Sequence, residues 1–402
     1  MPNAAFLPYG RQSVDEDDIA AVSNVLRSDW LTGGPAVAQF EQAFAATVGA
    51  PHAVACSNGT TALHLAALAL HIGPDDAVVV PAITFLASAT AIQVQGAKIV
   101  FADVDPQTGL MTAETCEAAI GREGHNRVRT VVPVHLGGRC SPPADMAAVA
   151  RRHGAAVVED ACHALGTVYR NGSTGNRVGA CDDADMAVFS LHPVKSATMG
   201  EGGVVTTRDP AIAARVARLR NHGMERTPEA FVDKQLGFDE NGNANPWYYE
   251  IHELALNYRA SDINCALGTS QLAKFPRFAA RRRQLAARYD AALPRLAPVV
   301  RPNAAVPGCD PVLHLYSVRI DFAAASISRA EAMKQLKSRG IGTQVHYIPV
   351  HLQPFYRKQL PGLSLPGADA YYASTLSLPL FPAMADQDVD RVVDTLADVL
   401  GC

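Results

Sequence analysis

The chain reads as an α/β protein built on a mostly parallel sheet, followed by a smaller α+β unit. The first two thirds alternate short apolar runs with amphipathic helical patterns, the signature of α/β architecture. Seven β-like runs can be placed, several of them apolar throughout, as in strands covered on both faces. A length of 402 residues also exceeds one simple core and predicts two domains. With 48% of residues hydrophobic, there is material to fill both.

In chain order the seven runs are 53–56, 77–80, 98–101, 130–134, 155–158, 186–190 and 204–207. Helical patterns lie between them, at 61–70 and 144–153 for example. The last two runs are joined by a turn-rich segment instead of a helix, so their connection differs from the others. The stretch 226–250 is polar and weakly periodic and reads as a long surface excursion. Loops of that length are usually functional, so it is expected to border the active site. A long Ala-, Leu- and Arg-rich helix is predicted at 261–293. Beyond it, strands at 315–320 and 342–347 mix with helices at 329–338 and 386–400. The predicted division is a large domain over 12–260 and a small one over 261–402.

A formal charge of −4 lacks the basic footprint of a nucleic-acid binder. No stretch approaches the roughly 20 apolar residues of a membrane span, and the opening residues lack the order of a secretory signal. The expectation is a soluble, cytoplasmic protein. Its eight cysteines show no CxxC pair or regular spacing, which argues against a zinc site or a disulfide framework.

Three segments carry chemistry. In SNGTTALHLAALAL, an apolar strand passes through small polar residues directly into a helix. The unpaired N–H groups and dipole of such a helix start favour a phosphate, and Gly59 allows close backbone approach. Alone, a turn of this kind is most often a plain N-cap. In VVEDACHALG, a buried strand delivers Glu159 and Asp160 to the carboxyl edge of the sheet, where such folds bind ligands. Taken alone, Asp160 reads more readily as a helix cap. In MAVFSLHPVKSATMGEGGVVTT, Lys195 lies between a strand end and a glycine turn. Burial there lowers a lysine pKa and favours the neutral amine that condenses with a carbonyl, whereas a lone lysine is ordinarily a solvated charge.

Together the segments resemble the DegT/DnrJ/EryC1/StrS family of sugar aminotransferases, enzymes of the pyridoxal 5'-phosphate-dependent fold type I. The resemblance spans nearly the whole chain, through SDWLTGGP, SNGTTAL, PAITFLASA, FADVDP, VEDACHALG, FSLHPVKSATMGEGG, RNHGM, LNYRASDINCALGTSQL and GTQVHYIPVH in that order. It implies that Lys195 holds the cofactor covalently and acts as the proton-transferring base. It further implies that Asp160 pairs with the pyridinium nitrogen, His163 lies near the ring hydroxyl and Phe85 stacks on the ring. Gly59, Thr60 and Ser190 match the phosphate ligands. Asn257 matches a residue reaching the phosphate from a neighbouring subunit, so the resemblance implies a homodimer with shared sites.

Within the family, His192-Pro193 before Lys195 and Gly200-Glu201-Gly202-Gly203 after it resemble the branch acting at C4 of UDP-linked keto sugars. SDWLTGGP, NPWYYE with ELALNYR, and QVHYIPV resemble the enzymes of pseudaminic acid biosynthesis. The implied substrate is UDP-2-acetamido-2,6-dideoxy-β-L-arabino-hex-4-ulose, with glutamate as donor and 2-oxoglutarate as its product. Trp30, Leu31, Thr32, His192, Arg259, His346 and Tyr347 match substrate contacts by position, and packing roles are equally open to them. Ser196 to Met199 and Ala255-Leu256 depart from the branch pattern and bear on sugar choice. An aminotransferase for aminoarabinose- or bacillosamine-type sugars is an alternative. A related dehydratase has histidine in place of the cofactor lysine, which Lys195 disfavours. A non-catalytic cofactor- or sugar-nucleotide-binding regulator would need no lysine, acid and aromatic together.

Overall fold

The computed structural model describes residues 5–124, 127–171 and 174–402. Seven strands form the central sheet: β1 (His52–Cys56), β2 (Asp76–Pro81), β3 (Lys98–Ala102), β4 (Arg127–Val131), β5 (Ala156–Asp160), β6 (Met186–Ser190) and β7 (Gly203–Thr207). Their spatial order is β1-β7-β6-β5-β4-β2-β3. Strands β3, β2, β4, β5 and β6 are mutually parallel, and β7 runs antiparallel to both β6 and β1. The turn-rich link between the last two predicted strands is thus the antiparallel connection. Six of the seven strands fall within two residues of their predicted limits. The fourth begins three residues early, at Arg127.

Period-two alternation splits each strand between two cores although both faces are buried. Three helices come first in the chain, α1 (Glu16–Leu26), α2 (Pro35–Val48) and α3 (Gly59–Ala69), and Val78, Val80, Ile99 and Phe101 pack with α3. Ala77, Val79, Val100 and Val131 pack on the opposite side. There Ala187, Phe189 and Val204 also meet Phe40 and Phe44 of the helix Pro35–Val48 and Cys265 and Leu272 of the long helix Asp262–Ala292. The second half of that long helix carries Leu285 and Tyr289 into a separate apolar cluster, with Val318, Leu376 and Val392. A three-stranded antiparallel sheet, Val300–Pro302, Tyr316–Ile320 and Thr375–Leu378, lies in that second cluster.

The helices predicted at 329–338 and 386–400 form with those limits. The strand predicted at 342–347 does not. A single bridge, Gln344 to Ser377, attaches this segment to the sheet, and residues 344–348 turn away to form a cavity wall. The 226–250 excursion packs largely on itself. Phe231 is buried against Tyr248 at 4.9 Å, and Glu250 accepts the backbone N–H groups of Val232 and Asp233. No residue of it lines the cavity described below, so within one chain it does not border the site.

Candidate active site

The carboxyl ends of β5 and β6 open into a cavity of about 630 Å³, a size suited to a cofactor with a substrate. Parallel strands bring Asp160 and Ser190 to the same edge because each is the last residue of its strand. Helix α3 points its N-terminus at that edge. Asn58 and Thr61 satisfy two of its four free N–H groups reciprocally: the Thr61 N–H donates to the Asn58 side chain at 2.9 Å and the Asn58 N–H to Thr61 Oγ1 at 3.1 Å. Gly59 and Thr60, which carry the other two, line the cavity. A side chain at Gly59 would put its Cβ 2.8 Å from Ser190 Cβ, so glycine creates the cradle into which backbone and Ser190 hydroxyl converge. An anion fits there by geometry and by the helix dipole.

Asp160 is buried, and its carboxylate accepts from Ser88 Oγ at 2.6 Å and from the Cys162 N–H at 3.2 Å. Ser88 is itself paired with Thr84 at 2.7 Å. Burial pushes the Lys195 ammonium below the ordinary lysine range, against the pull of Cys162 and Asp160 nearby. Lys195 thus combines burial that favours the neutral amine with a carboxylate within electrostatic reach.

His163 receives a hydrogen bond at Nδ1 from the Gly137 N–H, at 3.2 Å. Its proton therefore resides on Nε2, which donates to Tyr347 Oη at 3.2 Å. Burial first, then the charge of Lys195, keeps this imidazole neutral, well below its ordinary pKa. His346 is pushed down to about 3 by burial and bonds Ser377 Oγ at 2.8 Å through Nδ1. Phe85 is half exposed at the cavity, its ring 6.0 Å from that of Tyr347.

Of the residues singled out from sequence, Gly59, Thr60, Phe85, Asp160, His163, Ser190, His192, Lys195, His346 and Tyr347 all line this one cavity. Trp30, Leu31, Thr32, Asn257 and Arg259 do not. They lie on the outer surface around Ser261, where Thr32 bridges Ser261, Asn221 bridges Asn257, and Arg259 hydrogen-bonds Asn221. Trp30 and Leu31 are exposed there. Sequence reasoning passed over Ser88, Tyr9, His314 and Gln344. Ser88 had a signal, since it follows Phe85 by three residues at a helix start and so shares its face. The others come from distant segments and had none.

A phosphate cradle, a buried carboxylate and a lysine converge at the carboxyl edge of a seven-stranded, mostly parallel sheet, defining a pyridoxal phosphate-dependent transferase of fold type I. The chain belongs to the DegT/DnrJ/EryC1/StrS aminotransferase family, whose model matches residues 12–397. It is an enzyme, a pyridoxal phosphate-dependent sugar aminotransferase. It is 38% identical over 398 residues to the spore coat polysaccharide biosynthesis protein SpsC of Bacillus subtilis, covering 98% of this chain and 97% of that one. Its structure resembles Helicobacter pylori PseC, an aminotransferase of pseudaminic acid biosynthesis, with a TM-score of 0.85 at 25% identity, over 98% and 99% of the two chains. The pyridoxal phosphate form of the sugar aminotransferase Spr1654 from Streptococcus pneumoniae matches with a TM-score of 0.85 at 27% identity, again over 98% and 99%. Among the described residues no helix is long and apolar enough to cross a membrane, and no cluster of three or more His, Cys, Asp or Glu side chains has metal-binding geometry.

Proposed function

We propose that this protein transfers the amino group of glutamate to C4 of a UDP-linked 4-keto-6-deoxy-acetamido sugar, UDP-2-acetamido-2,6-dideoxy-β-L-arabino-hex-4-ulose, for pseudaminic acid synthesis in the cytoplasm. The amino-transfer step rests on one observation above all: Lys195, Asp160 and the Gly59–Ser190 cradle face a single cavity. The sugar rests on the sequence motifs around Lys195 and on the likeness to PseC.

When bound, the cofactor supplies an electron sink for charge developing at the donor carbon. The α3 N-terminus and Ser190 would hold its phosphate, and Asp160, fixed by Ser88, would pair with the ring nitrogen. His163 presents a neutral imidazole at the ring's edge. Lys195 Nζ would tether the cofactor and, when free, would serve as the base that holds or moves a proton at its nitrogen. Burial lowers its pKa, which favours the neutral amine that a base requires. The donor's keto acid leaves before the sugar enters, so one cavity serves both half-reactions and the kinetics are ping-pong.

The functional unit is a homodimer. Trp30, Leu31, Leu254 and Leu256 are large exposed apolar side chains beside Asn257 and Arg259, and covering them with a second copy would deliver Asn257 to a neighbouring site. The large domain of this unit spans 12–260 and the small domain 261–402. The 38% identity to SpsC favours a second reading, a different nucleotide-linked keto sugar destined for a polysaccharide.

An absorbance titration tests both. Glutamate should bleach the visible band of the holoenzyme, and the UDP-linked keto sugar should restore it. Bleaching without recovery would retain the aminotransferase and replace the sugar. Borohydride should fix the cofactor to the peptide containing Lys195, and Lys195→Ala should lower turnover by at least about 10²-fold. A Lys195→Ala enzyme of normal activity would sink the assignment.

A further inference from the structure

The turn that carries Gly137 ends at Cys140, whose sulfur faces a cysteine 169 positions away. The Cys140 S–H donates to Cys309 Sγ at 3.4 Å, and the Cys140 backbone N–H donates to the same sulfur at 3.4 Å. Two donors converging on one sulfur stabilise a thiolate. His135 and Arg139 on the same turn add positive potential at Cys309, while Glu159 of β5 raises Cys140. Tyr169, on the strand paired with Cys309 and near Asp145, and Asp310, ion-paired to Arg170 and Arg283, also surround the pair. The hydrogen bond from Cys140 draws the Cys309 thiol below the ordinary cysteine range, and Cys140 is pushed up by that same contact and by burial. Cys140 is fully buried and Cys309 partly exposed. The two cysteines thus divide into a reachable nucleophile and an enclosed partner. Among the described residues no other two cysteine sulfurs share a hydrogen bond.

We propose that Cys140 and Cys309 form an oxidation site that takes a hydroperoxide and closes to a reversible intramolecular disulfide. The Cys309 sulfur attacks one peroxide oxygen. The O–O bond breaks, leaving a sulfenic acid on Cys309 and, after protonation, water. The Cys140 sulfur then attacks the Cys309 sulfur, the S–O bond breaks, and a second water leaves with the Cys140 proton. Two thiols and one hydrogen peroxide give one disulfide and two waters; the thiols lose the two electrons that the peroxide gains. A small thiol reverses the change by exchange.

The sulfurs need to close from 3.4 Å to about 2.05 Å. The flanking backbones are already held together. The His314 N–H donates to the Gly137 carbonyl at 2.9 Å, and the Thr167 hydroxyl bridges the two segments, donating to the Gly138 carbonyl at 2.7 Å and accepting from the Val312 N–H at 3.1 Å. Because Gly137 bonds His163 and His314 lines the cavity, the closed disulfide pins two walls of the active site.

The test uses the reduced holoenzyme. It is treated with one molar equivalent of hydrogen peroxide, blocked with iodoacetamide and mapped by mass spectrometry without reduction. The expected result is a linked peptide pair containing Cys140 and Cys309, lost on adding dithiothreitol, with an unfolding temperature several degrees above that of the reduced enzyme. In Cys140→Ser, Cys309 should accumulate sulfenic acid trapped by dimedone, and in Cys309→Ser neither product should form. Oxidation confined to the exposed Cys402, with Cys140 and Cys309 still alkylated as thiols, would overturn the proposal. The wild-type map requires no variant to fold.

Discussion

Ser88 illustrates how a residue that touches no reacting atom sets the chemistry of one that does. Its hydroxyl lies 2.6 Å from Asp160 and is held in turn by Thr84. Replacing it by alanine removes a bond worth about 1–3 kcal/mol to a charged acceptor and leaves the carboxylate free to turn. Ser88→Ala is therefore expected to lower kcat about five- to tenfold and the unfolding temperature by a few degrees. Asp160→Asn, which removes the charge itself, should cost about 10²-fold or more. Steady-state kinetics on the two variants measure both effects. Equal losses in the two would mean that Ser88 does more than position the carboxylate.

At the scale of elements, the phosphate cradle depends on how closely β7 approaches the start of α3. A Cβ at Gly203 would lie 2.2 Å from the Asn58 carbonyl oxygen and 2.4 Å from its carbon, both backbone atoms with no freedom to yield. Gly203→Ala is thus predicted to displace the helix start and weaken cofactor binding at least about tenfold, equivalent to about 1.4 kcal/mol. A cofactor titration of the apo-protein reads this directly. Gly73→Ala provides the control, because nothing lies within 4 Å of a Cβ there and its affinity should be unchanged. Matching affinities for the two variants would remove β7 from the account.

For the whole molecule, the long helix Asp262–Ala292 ties the two apolar clusters, and Arg282 within it donates to the carbonyls of Leu313, His314 and Leu380. That anchorage helps to bury three neighbouring histidines: His163 and His314, 4.6 Å apart, and His346. Burial lowers the pKa of all three, His346 to about 3. Their folded-state pKa values lie below the unfolded value near 6.5. Between the two the unfolded chain binds more protons, so stability is full above about pH 6.5 and is lost as pH falls. Each histidine contributes a slope of up to about 1.4 kcal/mol per pH unit. Unfolding temperature should drop steeply between about pH 6 and 4, and His314→Gln should flatten the drop. An identical acid profile in that variant would place the proton uptake elsewhere.

The seven-stranded sheet, the long helix and ten residues of one cavity were legible in the chain itself. Buried parallel strands need continuous apolar runs, and residues at their carboxyl ends share an edge by topology alone; Asp160 and Ser190 are the clearest cases. The family motifs supplied Lys195. Tertiary structure decided what joins distant segments. It turned 342–347 from a strand into a cavity wall, folded 226–250 onto itself, set Ser88 on Asp160, and brought Cys140 to Cys309 across 169 positions. It also placed Trp30, Leu31, Thr32, Asn257 and Arg259 outside the cavity of the single chain. The physical reason is range. Periodicity and capping act over a few residues and leave a mark in local sequence, whereas contacts between remote segments depend on packing that no local pattern encodes.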